Sequence, residues 1–171
     1  MNIEQTYQVK DIVKRVFHPR NPDLAKKATE RIGHWTRAGL LRTIGETSKG
    51  TGRQRSYSET EIFVAAVLQE LNKYGSNRAM LEFTAREVRD ALDWPMKDLA
   101  SLHESTAENF TRICEARDGS ENLVFLCIIP DPISFDGFFG MEVTYTPFSS
   151  DLSWSGIAIN LSRILDDAKQ K

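Results

Sequence analysis

The sequence predicts an α+β fold in which helices and a hairpin come first and a small three-stranded unit comes last. Three observations carry this. As far as residue 116 the apolar residues recur at helical spacing, interrupted by Pro-rich and Gly-rich turns. Between Gly39 and Tyr57 that pattern gives way to two extended segments around the glycine-spaced turn Lys49-Gly50-Thr51-Gly52. After the turn cluster Ala116-Arg-Asp-Gly-Ser-Glu121 the period becomes that of strands.

Taken in order, Tyr7, Val9, Ile12, Val13 and Val16 put an apolar face on a short first helix, with Lys10, Lys14 and Arg15 outward. Pro19 and Pro22 forbid its continuation. Asn21 is the expected N-cap of a second helix, with Pro22 at its first position and Asp23 favourable to its dipole. Leu24, Ala28, Ile32 and Trp35 form the core face of that helix, which ends at Gly39 and leaves Arg31, His34 and Arg37 facing outward. The chain then turns at the hairpin and returns as a strand carrying Arg53, Arg55 and Tyr57.

Ser58 with Glu61 makes a capping box for a third helix, whose apolar stripe is Ile62, Phe63, Ala66, Val67 and Leu71. Ser76 is the expected cap of a fourth, patterned by Met80, Phe83, Val88 and Leu92. Asp93-Trp-Pro95 breaks the chain, and Pro95 suits the first turn of a helix running through Leu99, Leu102, Ala107, Phe110 and Cys114. Strands are expected over Asn122–Ile129, Met141–Thr146 and Ser155–Leu161, then a terminal helix to Lys171 with Ile164, Leu165 and Ala168 on its apolar face. The division expected is a helix-and-hairpin domain at 1–92 and a helix plus small α+β region at 93–171.

The overall charge of −2 conceals a polarity: residues 1–60 carry 12 Lys/Arg against 6 Asp/Glu, and the remainder carries 10 against 18. A basic head on an acidic body is the footprint of a nucleic-acid binder. No apolar run is long enough to span a bilayer and no signal-peptide pattern is present, so a cytoplasmic protein is expected. The two cysteines, Cys114 and Cys127, are not in a CxxC arrangement and read as reduced, buried thiols.

A helix followed by a basic hairpin has the residues a duplex demands: Arg and Lys for phosphate and guanine, aromatic and His side chains for flat surface, and glycines for the tight turn. From Tyr7 to Gly75 the chain resembles the DNA-binding domain of the MerR family of transcription regulators. The resemblance rests on His34, Trp35, Gly39, Leu40, Leu41, Gly52, Arg55, Tyr57 and Ser58-Glu-Thr-Glu61. It implies a winged helix-turn-helix that binds double-stranded promoter DNA as a homodimer, with RNA polymerase as a further partner. The chain departs from that pattern in three ways. The connection between its first two helices is longer, Gly33 stands where the family commonly has Arg, and the span from Pro95 to Ala116 is short for the family's dimerisation helix.

The expected DNA contacts are Arg31, His34, Trp35 and Arg37 on the second helix and Lys49, Arg53, Arg55 and Tyr57 on the hairpin. For Trp35 the spacing with Leu24 and Ile32 suits core as well as contact. Tyr57 is expected to pack at the hairpin base with its hydroxyl on a phosphate or a backbone group, and Lys49 is either a contact or a soluble turn residue. No metal or cofactor is expected, because Cys114, His103 and Cys127 match no zinc spacing. No enzyme is expected either, because Glu142, Asp151 and Asp166-Asp167 accompany no phosphate loop, HExxH or Gly-x-Ser-x-Gly motif. Phe135, Phe138, Phe139, Tyr145, Phe148 and Trp154 suit a small core, a dimer interface or an effector pocket. The rival classes are an excisionase-like DNA-bending protein and a ligand-sensing adaptor acting through the C-terminal half.

Overall fold

The computed structural model describes residues 5–45, 55–95, 98, 102, 104–119, 124–130, 139–144 and 157–169. Its order is β1 (Tyr7–Gln8), α1 (Val9–Ile12) continued by π-helical turns (Val13–Phe17), α2 (Pro22–Arg37), β2 (Ser56–Tyr57), α3 (Glu59–Lys73), α4 (Arg78–Asp93), α5 (Glu104–Asp118), β3 (Phe125–Pro130), β4 (Phe139–Thr144), β5 (Ile157–Asn160) and α6 (Leu161–Lys169). The fold is mixed α+β and mostly helical.

α3 is the axis. Every residue from Glu61 to Leu68 is buried, and so is Leu71, which is more than the single expected stripe. The run Ile62-Phe-Val-Ala-Ala-Val-Leu68 is apolar all round, and such a helix belongs inside. α4 packs on it from one side, while α6, β5 and the π turns pack on it from others. Leu161, Leu165 and Ala168 of α6 therefore share one hydrophobic cluster with Ile12, Ile32 and Tyr57 near the start of the chain.

Near the N-terminus one expectation is corrected. Tyr7 lies in β1, opposite Tyr57 in an antiparallel pair, and does not join the first helix. That helix widens into π turns from Val13 and ends at His18 in the left-handed region (φ 43°), directly before Pro19, which cannot continue it. At the helix starts, Asn21 accepts from Leu24 N at 2.9 Å as expected. The cap of α4, however, is Asn77, not Ser76: its Oδ1 accepts from Met80 N at 2.9 Å, and Ser76 instead donates to Leu71 O.

β3 is the centre of a three-stranded antiparallel sheet ordered β4-β3-β5, with Leu126 paired to both Val143 and Ile159. The outer edge of β4 is covered by α5. Asn109 Oδ1 accepts from Val143 N at 3.1 Å, and Arg112 donates to Val143 O.

Candidate nucleic-acid interface

α2 ends in a Schellman motif. Gly39 takes φ +78°, Leu40 N donates to Trp35 O at 2.9 Å and Gly39 N to Thr36 O at 3.2 Å. The C″ residue of that motif, Leu40, is buried together with Trp35, which fixes the direction in which the chain leaves the helix. Ile44 N then donates to Ser56 O at 2.8 Å, an antiparallel bridge that closes the root of the segment, and Ser56 also pairs with Gln8.

The root is held from below by a network with no apolar signature. Arg89 of α4 meets the carboxylate of Glu61 at two points, and its Nη2 also donates to Leu40 O at 2.7 Å. Glu61 Oε2 accepts from Arg42 N at 2.9 Å. Ser58 Oγ accepts from Glu61 N at 3.4 Å, so half of the expected capping box is present, while the Glu61 carboxylate turns to Arg89 and Arg42. The cue in the sequence was Arg89 itself, a cation on the buried stripe beside Ala85, Val88 and Leu92.

α2 buries only Ala28, Ile32 and Trp35, so most of its perimeter faces outward. Leu24 was expected on the core face but is 45 % exposed, while its neighbour Ala25 packs against the core. Arg31, His34 and Arg37 are exposed, as their positions required. Trp35, for which core and contact both stood open, is buried: it is 3 % exposed, with its ring centroid 5.9 Å from that of Phe17. Tyr57 is likewise buried, and its hydroxyl lies 2.8 Å from Thr36 Oγ1. Since Thr36 gives its only hydroxyl proton to Ile32 O, Tyr57 is the donor, and it ties β2 to α2. Lys49 and Arg53 lie outside the described residues.

Two cationic surfaces flank α2. On the α4 side, a cleft of about 570 Å³ is lined by Lys27, Arg31, His34 and Arg78, with Trp35 and Leu81 as apolar wall and Glu30 as the one carboxylate in its lining, although Arg78 is ion-paired with Glu82 at 2.6 Å. Arg31 Nη1 donates to Gln69 Oε1 at 3.0 Å, a neutral partner that positions its guanidinium without cancelling its charge. On the other side, a groove of about 280 Å³ is lined by Gln8, Val9, Lys10, Thr29 and Arg55. Lys10, Lys27 and Arg78 were not among the expected contacts; Lys27 lies on α2 itself, and the fold brings Lys10 and Arg78 beside it.

The chain matches no family model, and no curated protein matches it significantly.

Among the described residues no three His, Cys, Asp or Glu side chains converge. Cys114 is buried, its Sγ 3.6 Å from Ala91 O, and burial pushes the thiol's pKa up. His103, Asp151, Phe135, Phe138, Tyr145, Phe148 and Trp154 lie outside the described residues, as do the side chains of Phe139 and Glu142. No described helix is long and apolar enough to cross a membrane.

Proposed function

We propose that this chain is a sequence-specific double-stranded DNA-binding regulator of transcription of the MerR type. It acts as a binding protein, not an enzyme, from the cytoplasm. In this reading the helices to residue 92 and the segment rooted at Ile44 and Ser56 form a winged helix-turn-helix. α2 enters the major groove, and Arg31 and His34 reach base edges or the near backbone. Arg37 and Arg55 take phosphates, and Trp35 and Tyr57 hold the frame. The family resemblance adds a homodimer spanning two half-sites and contact with RNA polymerase.

One observation supports the reading most: α2 buries three residues while cationic side chains line both of its flanks. An α-helix with its side chains is about 10–12 Å across, and the major groove of B-DNA is about 12 Å wide. A helix so exposed, with positive charge on either side, fits a groove bounded by two phosphate backbones.

The test is selection of duplexes from a random pool, followed by affinity against salt and by light scattering of the winning complex. Expected are an enriched motif, a steep fall of affinity with salt, and two chains per site. Arg55→Ala should lower the salt slope by about 1, and Arg31→Ala should also relax the preference between sequences. Absence of duplex binding in dilute buffer overturns the reading.

A further inference from the structure

We propose that Gly33, Arg37 and Arg55 form a notch that holds one phosphate group. Gly33 lies inside α2, where a side chain would ordinarily stand. A β-carbon there would sit 3.6 Å from Arg37 Nη1 and 3.8 Å from Arg55 Nη1. Two guanidinium groups from different elements, one on α2 and one at the root of β2, thus occupy the space above a residue that has no side chain.

Like charges brought to one place need a counter-ion. Among the described residues, neither Arg37 nor Arg55 pairs with a carboxylate. The acids nearby are committed or turned elsewhere: Asp11 accepts from Gln8 N at 2.8 Å, and Glu30 lines the cleft on the far flank of α2. A tetrahedral oxyanion suits such a pair, since each guanidinium offers a planar fork of donors matched to phosphate oxygens. Thr29, Gly33 and Arg37 follow one another at intervals of four along one stripe of α2. The groove that Arg55 lines with Lys10 and Thr29 continues the site and adds a third cation. Gly33 therefore lets both guanidiniums come close to the helix backbone, where a side chain would keep them apart, and an anion shared between them lies beside it.

As a backbone-phosphate site it rests on the DNA-binding reading, whereas inorganic phosphate probes it without DNA. The experiment uses the full chain, Gly33→Ala and Gly33→Glu. Gly33→Ala is compatible with the fold, because the added β-carbon meets only ordinary contacts, and the melting temperature in chloride shows whether Gly33→Glu folds as well. Gly33→Glu sets a carboxylate between the two guanidiniums and competes with the ligand from within. Melting temperature is measured in chloride and in phosphate at matched ionic strength, and duplex affinity is measured for each protein.

Expected is a higher melting temperature for both variants in chloride, stabilisation by phosphate of wild type and Gly33→Ala but not of Gly33→Glu, and a loss of duplex affinity of at least about tenfold for Gly33→Glu alone. Stabilisation by phosphate that Gly33→Glu abolishes, in a protein that binds no duplex, supports the notch as a free-phosphate site and removes the DNA reading. Duplex binding and phosphate stabilisation by Gly33→Glu equal to those of wild type overturn the notch, and leave DNA binding standing.

Discussion

Glu61 on α3 and Arg89 on α4 form a two-point ion pair, Nε–Oε1 2.5 Å and Nη2–Oε2 3.1 Å, with both side chains only 4 % exposed. The pair lies beneath the segment that leaves α2. Arg89 binds the carbonyl of Leu40 and Glu61 binds the amide of Arg42, so both charges also satisfy the backbone that changes direction there.

Removing one partner leaves the other charged and buried. Arg89→Met should cost about 3–5 kcal/mol in urea unfolding. Glu61→Gln keeps the shape and should cost less, and the double variant should cost less than the two singles together, since neither charge is then stranded. Additive effects would show that the two residues act independently.

Tyr57→Phe removes a donor from a buried hydroxyl pair and leaves the ring in place. Thr36 keeps its bond to Ile32 O, so no buried donor on Thr36 is orphaned. The expected loss is about 0.5–1.5 kcal/mol in chemical unfolding. A loss several times larger would mean that the hydroxyl organises more of the α2–β2 junction than this one bond.

Much of this head was legible because its signals are local. Asn21, Pro22 and Gly39 set the ends of α2 through backbone chemistry that neighbours cannot override, and the strands after residue 124 follow from β-branched and apolar runs. What escaped depends on contacts distant in sequence. Leu24 has the right spacing for a core residue but is exposed, whereas its neighbour Ala25 is the one packed against the core. The cap of α4 was instead a local miss: Ser76 was expected, but Ser76 donates back to Leu71 O and the next residue, Asn77, accepts from Met80 N. The notch at Gly33 was visible merely as a glycine in a helix, since the two arginines that meet there come from positions 37 and 55.

Cys114 gives the protein an alkaline weakness. Burial, with smaller contributions from Asp118 and Glu115, raises the thiol above its ordinary 9.0, and Arg117 only partly offsets this. The folded thiol thus holds its proton more tightly than the unfolded one. Its contribution is fully present below the unfolded pKa and is lost as pH rises through the folded one. From about pH 8 to about pH 10, wild type should lose more stability than Cys114→Ala, as read from the difference between their melting curves. Parallel losses would show that other groups account for the alkaline change.

β4 is a terminal strand, and its Val143 offers an N–H and a carbonyl on the side away from β3. Asn109 and Arg112 of α5 occupy both groups, as a fourth strand would, and Arg112 is itself steadied by Glu108 one turn earlier. Asn109→Leu leaves the Val143 N–H without its partner and should cost about 1–3 kcal/mol. It also bares a strand edge able to pair with another chain, so the variant should self-associate as concentration rises. Sedimentation of Asn109→Leu beside Asn109→Asp, which keeps an acceptor, separates the two effects. The aspartate variant should remain as wild type does, and equal association of both would show that α5 does not guard this edge.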